Sequence, residues 1–304
     1  MIRFIVRSLL LAMLVCLTVL IVSFALTRLS GNLAINLAGP DASAASIAKI
    51  QHELGLDRPL PVQFAAWADR ALHGDFGNSY LYHQSVSSLI ASHLKVTLQL
   101  GAIAIGMAII IAVPLGILAA LHEGTWIDTA CGLVALIGQA VPSFWLGLML
   151  ILWFGIDLRW LPIAGLATWK GYILPSFVLS FVAIPVMLRL TRGGMVDALR
   201  ADYVRTARAK GLSRASIVLK HAFRNAAMPV VAVSAVQLGF ILGGSVVTEV
   251  VFNVRGVGYL AWESIGKGDF PVVQAVVLLF AVTFVGLTFL ADLIGAMLDP
   301  RVRG

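Results

Sequence analysis

Apolar residues run along this chain in long stretches, not in the alternation of a half-buried strand or the narrow stripe of a surface helix. A helix that crosses the hydrocarbon of a bilayer needs about 20 mostly apolar residues. Six stretches meet that need: Leu9–Leu26, Val96–Leu121, Thr129–Gly155, Tyr172–Leu188, Pro229–Thr248 and Pro271–Leu298. The pattern predicts an all-α integral membrane protein with six transmembrane helices. It divides the chain into residues 1–30 (a polar tip and the first span), a segment 31–93 outside the bilayer, and a five-helix core 94–304 that carries a long polar loop, 194–228.

Arg3 and Arg7 before the first span give it the charged start of a signal peptide. Its apolar run is longer than the roughly 7–15 residues of a signal core. The small-residue site Ala42-Ser43-Ala44 lies well beyond it, so an uncleaved anchor is expected.

Composition agrees. The chain has 304 residues, 60% hydrophobic and only 12% charged, about half the charged share of soluble domains; its mean hydropathy is +0.94. The net charge of +7 does not point to nucleic acid, because the basic residues fall where membrane topology puts them. With the N-terminus inside, thirteen of the 22 Lys and Arg lie on the cytoplasmic side, nine of them between Arg189 and Arg224, as the positive-inside rule asks. Both termini are then expected in the cytoplasm. The short loop His122–Asp128 carries no Lys or Arg and does not bear on orientation.

Candidate chemistry is sparse. Cys16 and Cys131 lie in separate apolar runs, and the six histidines have no metal-ligand spacing. No Walker A, Gly-x-Ser-x-Gly or HExxH motif occurs. Glu249 and Asp292 stand near the ends of spans five and six, whereas ion-coupled carriers place ionisable residues near the midplane. A membrane enzyme and an ion-coupled secondary carrier are both disfavoured. If ATP drives the protein, another subunit binds it. Pro114, Pro142, Pro175 and Pro185 lie in or near spans and are expected to bend or break helices. Leu242-Gly243-Gly244-Ser245 is expected to allow close helix packing.

In the segment 31–93, Ala42–Leu54 reads as a helix broken by Gly55-Leu56-Asp57-Arg58-Pro59-Leu60-Pro61. Val62–Leu72 reads as a second, amphipathic helix with Phe64, Trp67 and Leu72 on its apolar face, and Gly74-Asp75-Phe76-Gly77 as a turn. Some sixty residues are too few for a large core, so the segment is expected to lean on the ends of the spans.

The loop 194–228 is the most informative part. Met195, Leu199 and Tyr203 recur at i, i+4 and i+8, an apolar helical stripe, with Arg200, Arg205 and Arg208 opposite. Gly211 is placed to end that helix in the left-handed region, and Ser213 to cap a second short helix reaching about Arg224. A basic amphipathic element of this kind also suits the surface of an anionic membrane.

Its residues Asp202-Tyr203-Val204-Arg205-Thr206-Ala207-Arg208-Ala209-Lys210-Gly211-Leu212-Ser213 resemble the cytoplasmic coupling loop of ABC importer permeases, in the form found in dipeptide and oligopeptide permeases. Of the general Glu-Ala-Ala…Gly pattern only Ala207 and Gly211 match; Arg205-Thr206-Ala207 resembles the peptide branch. His221-Ala222-Phe223-Arg224-Asn225-Ala226-Ala227-Met228-Pro229 resembles its lead into span five. The likeness runs through Gly55-Leu56-Asp57, Gly74-Asp75-Phe76-Gly77, Val141-Pro142-Ser143-Phe144-Trp145, Trp160-Leu161-Pro162, Asp269-Phe270-Pro271-Val272-Val273-Gln274 and Asp299-Pro300-Arg301. Arg255-Gly256 departs from it, standing where the family pattern has Pro-Gly.

The resemblance implies a type I importer permease bundle in the cell inner membrane, forming half of a pathway for peptides or, alternatively, for glutathione, nickel chelates, opines or sugar-like solutes. It implies a homologous second permease subunit, two cytoplasmic ABC ATPase subunits that hold ATP and Mg, an extracytoplasmic solute-binding protein, and no cofactor on this chain. Membrane lipid is a further expected partner and nucleic acid is not. The same likeness makes Tyr203, Arg205, Thr206, Ala207, Arg208, Gly211 and Leu212 the expected ATPase contact. Ala207 would allow close approach to the partner, and Arg205 and Arg208 would pair with its acidic groups.

Overall fold

A computed structural model describes residues 2–29, 43–53 and 55–298. The expected features at residues 31–42, Leu54, Asp299-Pro300-Arg301 and Arg303 lie outside the described residues.

The elements are α1 (Ile2–Leu29), α2 (Ala44–Glu53), α3 (Leu60–Leu72), α4 (Val86–Leu121), α5 (Trp126–Ala140), α6 (Ser143–Leu150, continued by a π-helical turn Ile151–Asp157), α7 (Ile173–Arg200), α8 (Asp202–Ala209), α9 (Arg214–Val251), α10 (Val257–Gly266) and α11 (Phe270–Leu298). Among the described residues there is no strand. Five of these helices are long and apolar enough to cross a membrane, and the bent pair α5–α6 makes a sixth candidate.

The large helices pack in the spatial order α1, α11, α9, α7, with α4 and α5 beyond. Within the apolar windows of the spans, 61% of α7 is buried but only 11% of α1, so α7 is the axis of the bundle. Lipid tails are as apolar as leucine, so helices in a bilayer associate by close packing. That explains the face α4 turns to α7: Ala104, Ala108 and Ala112 are fully buried at four-residue spacing, with Gly116 next in the row. A Cβ on Gly116 would stand 2.6 Å from Thr191 Cβ and 2.9 Å from the Leu188 carbonyl. Only glycine lets the helices meet there.

Two ends of the bundle can be told apart. At one, the basic end, the last turns of α4 and α7 meet the start of α9 through Ala120, Met195, Val196, Val218, Ala222 and Ala226. At the other, the far end, the start of α4 meets α10 and the start of α11 through Val86, Leu89, Val257, Leu260, Val272 and Val276. α4 and α7 therefore run parallel, from far end to basic end, and the chain between them must cross back. It does so as a broken span. Arg192 of α7 holds Asp128 at the start of α5, while Gly147 of α6 lies against Val251 and Phe252 at the far end of α9.

The expected span Thr129–Gly155 is two helices, broken where Pro142 was expected to bend or break it: α5 and α6 meet at 101°. The break falls at Val141-Pro142. Proline disfavours the helical region for the residue before it, and Val141 is extended (φ −82°, ψ 122°). Pro114, Pro185 and Pro229 lie inside continuous helices, and Pro175 in the first turn of α7. The second span starts at Val86, ten residues earlier than its apolar run, because Ser85 caps it by accepting from Ser88 N at 3.3 Å. A domain boundary at residue 93 would fall inside this one helix.

The segment between α1 and α4 leans on the far end, chiefly through aromatic rings. Phe24 of α1 lies 5.4 Å from the Phe64 ring and 6.0 Å from Trp67. Leu72 is not part of that apolar face; it is 84% exposed. Gly74 and Gly77 both take positive φ, making the expected turn, which Asp75 stabilises by accepting from Gly77 N. The following loop is pinned by the buried carboxylate of Asp269, which accepts from Ser79 Oγ and from the backbone N of Tyr80 and Leu81. Beside it the Tyr82 hydroxyl donates to Glu263, which also takes Lys267.

Candidate functional site

The resemblance places function in the loop after α7, and the structure shows why that loop stands apart. α7 does not continue into it. Ala201 is extended (φ −71°, ψ 151°) and separates Arg200 from Asp202. The predicted stripe Met195–Leu199–Tyr203 is therefore cut. Met195 is fully buried on α7, whereas Tyr203 belongs to the separate helix α8 and is 41% exposed.

α8 opens with Asp202, whose charge favours a helix N-terminus, and has Arg208 in its last turn. It ends at Gly211 as predicted. Gly211 has φ +73°; its N donates to the Arg208 carbonyl and Leu212 N donates to the Ala207 carbonyl, the paired bonds of a Schellman termination. No neighbour would meet a Cβ on Gly211, so the need for glycine there is conformational alone. Ser213 then restarts the chain as a helix by accepting from Ser216 N. That second helix does not stop near Arg224. Through a π-helical turn, Ile217–Ala222, it runs on to Val251.

Two side chains seat α8. Val204 and Ala207 are buried one turn apart against Ile217 of the π-helical turn. Full burial of Val204 contributes about 1.5–3 kcal/mol, so the footing is small. Ala207, expected to face a partner, faces inward: its small side chain lets α8 close onto α9. The opposite face is bare. Asp202, Arg205 and Thr206 are exposed, flanked by Tyr203, with Leu212 40% exposed just beyond. Arg205 pairs with Asp202 at 3.3 Å, both side chains more than 80% exposed, an arrangement worth little to stability. Arg208 stands apart from this face, on the rim of a groove shared with Arg200 and Arg214.

Two ion pairs, missed in the sequence, tie the start of the broken span to α7. Arg192 grips Asp128 with two bonds of 2.6 Å, and Arg200 holds both oxygens of Glu123 at 2.9 and 2.8 Å. The signal lay in the loop His122–Asp128, whose charges are acidic while the α7 end is basic. α8 thus joins α7 through Ala201 and packs on Ile217 of α9, while α7 holds the start of α5 through these pairs.

At the far end the reading of Glu249 as a residue near a span end understates it. Glu249 is fully buried. It accepts from Thr97 Oγ1 and from Tyr259 N, each at 2.8 Å, while Thr97 Oγ1 accepts from Val257 N. Together they satisfy N–H groups at the start of α10, which have no partner within their own helix. A Cβ on Gly256 would stand 2.5 Å from the Glu249 carboxyl carbon. The turn here closes through Val254 N to the Glu249 carbonyl and Gly256 N to the Val254 carbonyl. Arg255, where the family pattern has proline, is exposed.

Comparison with known proteins bears on the whole chain. Residues 112–304 match the family described as binding-protein-dependent transport system inner membrane component. Residues 1–101 match the N-terminal region of such membrane components. The chain is 43% identical over 275 residues to the glutathione transport system permease protein GsiC of Salmonella choleraesuis (strain SC-B67), covering 90% of each. It is 42% identical, with the same coverage, to GsiC of Escherichia coli (strain K12). Among solved structures it is similar to a chain of the MetNI methionine ABC transporter in an inward facing conformation, with a TM-score of 0.58 at 19% identity, covering 69% of this chain and 96% of that one. That likeness is one of fold, and the fold is that of an ABC importer permease.

Proposed function

Since the chain belongs to the family of binding-protein-dependent transport system inner membrane components, we propose that it carries small peptides of the glutathione class and that α8 is its contact with a separate ATPase. The permease is a multi-pass inner-membrane protein of an ABC importer. A second permease subunit and an extracytoplasmic binding protein complete the reading, with ATP and Mg held by two ATPase subunits. The substrate class is supported by the 43% identity to a glutathione permease over nearly the full length.

The observation that carries the coupling role is the split character of α8: one face seated on Ile217, the other bare. Tyr203, Arg205, Thr206 and Leu212 make up the bare surface. Gly211 and Ala207 serve it indirectly, the first by ending the helix and the second by seating it. The basic end is then cytoplasmic, which brings α1 in from the cytoplasm and returns α11 there. In this mechanism the ATPase performs the chemistry. ATP-driven closure makes different contacts with α8 in two global states, and α7 carries the displacement to the broken span through Asp128 and Glu123.

The test is uptake of labelled glutathione and of di- and tripeptides in cells lacking the gene, with rescue by the wild-type chain and by Gly211→Pro. Proline removes the bond from residue 211 N and cannot adopt φ +73°. Rescue by wild type and not by a normally inserted Gly211→Pro supports both parts of the reading. Full rescue by Gly211→Pro removes the role given to this turn, and peptide and glutathione uptake indifferent to the gene removes the substrate class.

A further inference from the structure

The groove beside α8 has chemistry that the coupling role does not use. It encloses about 710 Å³ between the last turns of α4 and α7, the end of α8 and the start of α9. Arg200, Arg208 and Arg214 line it, with an apolar floor that includes Leu121, Leu199 and Val218. One acidic residue, Glu123, shares the site, and both its oxygens are taken by Arg200. Arg208 and Arg214 have no ion pair among the described residues.

We propose that this groove binds an anionic phospholipid, its phosphate between Arg208 and Arg214 and the upper part of an acyl chain along Leu121, Leu199 and Val218. Three observations favour that occupant. The groove lies where three spans end, the level of the headgroups, and basic pockets between membrane helices at that level suit anionic headgroups. Guanidinium groups match phosphate with paired, charge-assisted hydrogen bonds. The floor decides among anions: a protein carboxylate or free phosphate would engage the arginines and leave the leucines wet, whereas a phospholipid covers both. The groove also opens between α8 and its own bundle, away from the bare face of Asp202, Arg205 and Thr206. A lipid here would brace α8 from behind, so the seating of the helix would depend on the membrane's anionic lipid. The inference rests on membrane insertion and not on the solute carried.

Native mass spectrometry tests it on the full chain purified with the subunits that accompany it. The complex is incubated with phosphatidylglycerol or with phosphatidylcholine of the same acyl chains. One phosphatidylglycerol is expected to be retained over phosphatidylcholine. Arg208→Gln with Arg214→Gln should lower that retention about tenfold or more, since losing even one charge-assisted bond is worth about that factor. Lys220→Gln, which removes a positive charge outside the groove, should leave it unchanged. Both arginines are exposed, and an unaltered unfolding midpoint would show the double variant to be folded. Equal retention of the two lipids, or retention indifferent to the double variant, overturns the proposal. So does displacement of the lipid by millimolar inorganic phosphate, which marks a free-anion site. Loss of an ATPase subunit with lipid retention intact also overturns it, and assigns the two arginines to that subunit.

Discussion

The two ends of this permease are fastened in opposite ways. At the far end, α10 and the loop around Tyr80 are held by buried carboxylates: Glu249 with Thr97, and Asp269 with Ser79, each saturated with donors. At the basic end, α8 rests on two small buried side chains and a left-handed glycine, and its own ion pair is exposed. Buried polar networks are costly to break because each stranded partner keeps its desolvation penalty. Exposed pairs exchange with water at little cost. The far end is therefore built to keep one arrangement, whereas α8 is held lightly, as the proposed coupling role requires.

The largest effect should come from Glu249→Ala. It strands the Thr97 hydroxyl and Tyr259 N, and at about 1–3 kcal/mol for each stranded group the loss is about 2–6 kcal/mol. A thermal unfolding midpoint in detergent unchanged from wild type would undo the claim of a fixed far end. Next is Asp269→Asn, which keeps one acceptor where three donors converge and should cost about 1–3 kcal/mol. Limited proteolysis should then open the loop 78–85 before the spans, and simultaneous cleavage would show that this loop does not depend on Asp269.

Gly211→Ala is smaller, about 1–2 kcal/mol of backbone strain confined to the α8 turn. It should lower transport while barely moving the unfolding midpoint. A midpoint shift as large as that of Glu249→Ala would erase the difference between the ends.

Tyr82→Phe should cost about 0.5–1.5 kcal/mol at neutral pH, and the cost should depend on pH. The Tyr82 hydroxyl and then Lys267 hold Glu263 below the usual glutamate range, while burial and then Glu263 push the Tyr82 hydroxyl up. A depressed carboxyl stabilises above its unfolded pKa, about 4.3, and that contribution is lost as pH falls through the lower folded value. Wild type and Tyr82→Phe should therefore converge in stability on acidification. A gap that widens would contradict the bond. The smallest effect on stability is expected from Arg205→Gln, whose exposed pair is worth about 0–1 kcal/mol. Its mark should be weaker recovery of the ATPase on purification, and full recovery would take Arg205 out of the contact.

Much of this was legible in the sequence, for identifiable reasons. The turn at Gly211 and its cap at Ser213 are local, set by residues within a few positions. The spans are legible because the bilayer demands length and apolarity. The stripe through Tyr203 was misread because a break at Ala201, with no proline or glycine to mark it, changes the helix phase. Ala207 was placed at the partner contact by the resemblance, whereas the face of α8 that is buried depends on Ile217, in the next helix.

By itself, then, the sequence determined that the chain crosses a membrane, where it turns, and which loop is basic and amphipathic, since each follows from short-range pattern or from the solvent. Only the tertiary structure decided that the third span, broken at Val141-Pro142, still crosses. It alone brought Asp128 and Glu123 to the arginines of α7, buried Glu249 beneath α10, and turned Arg208 and Arg214 toward a common groove. Those features join residues far apart in the chain, and their energy comes from packing and desolvation that exist only once the helices meet.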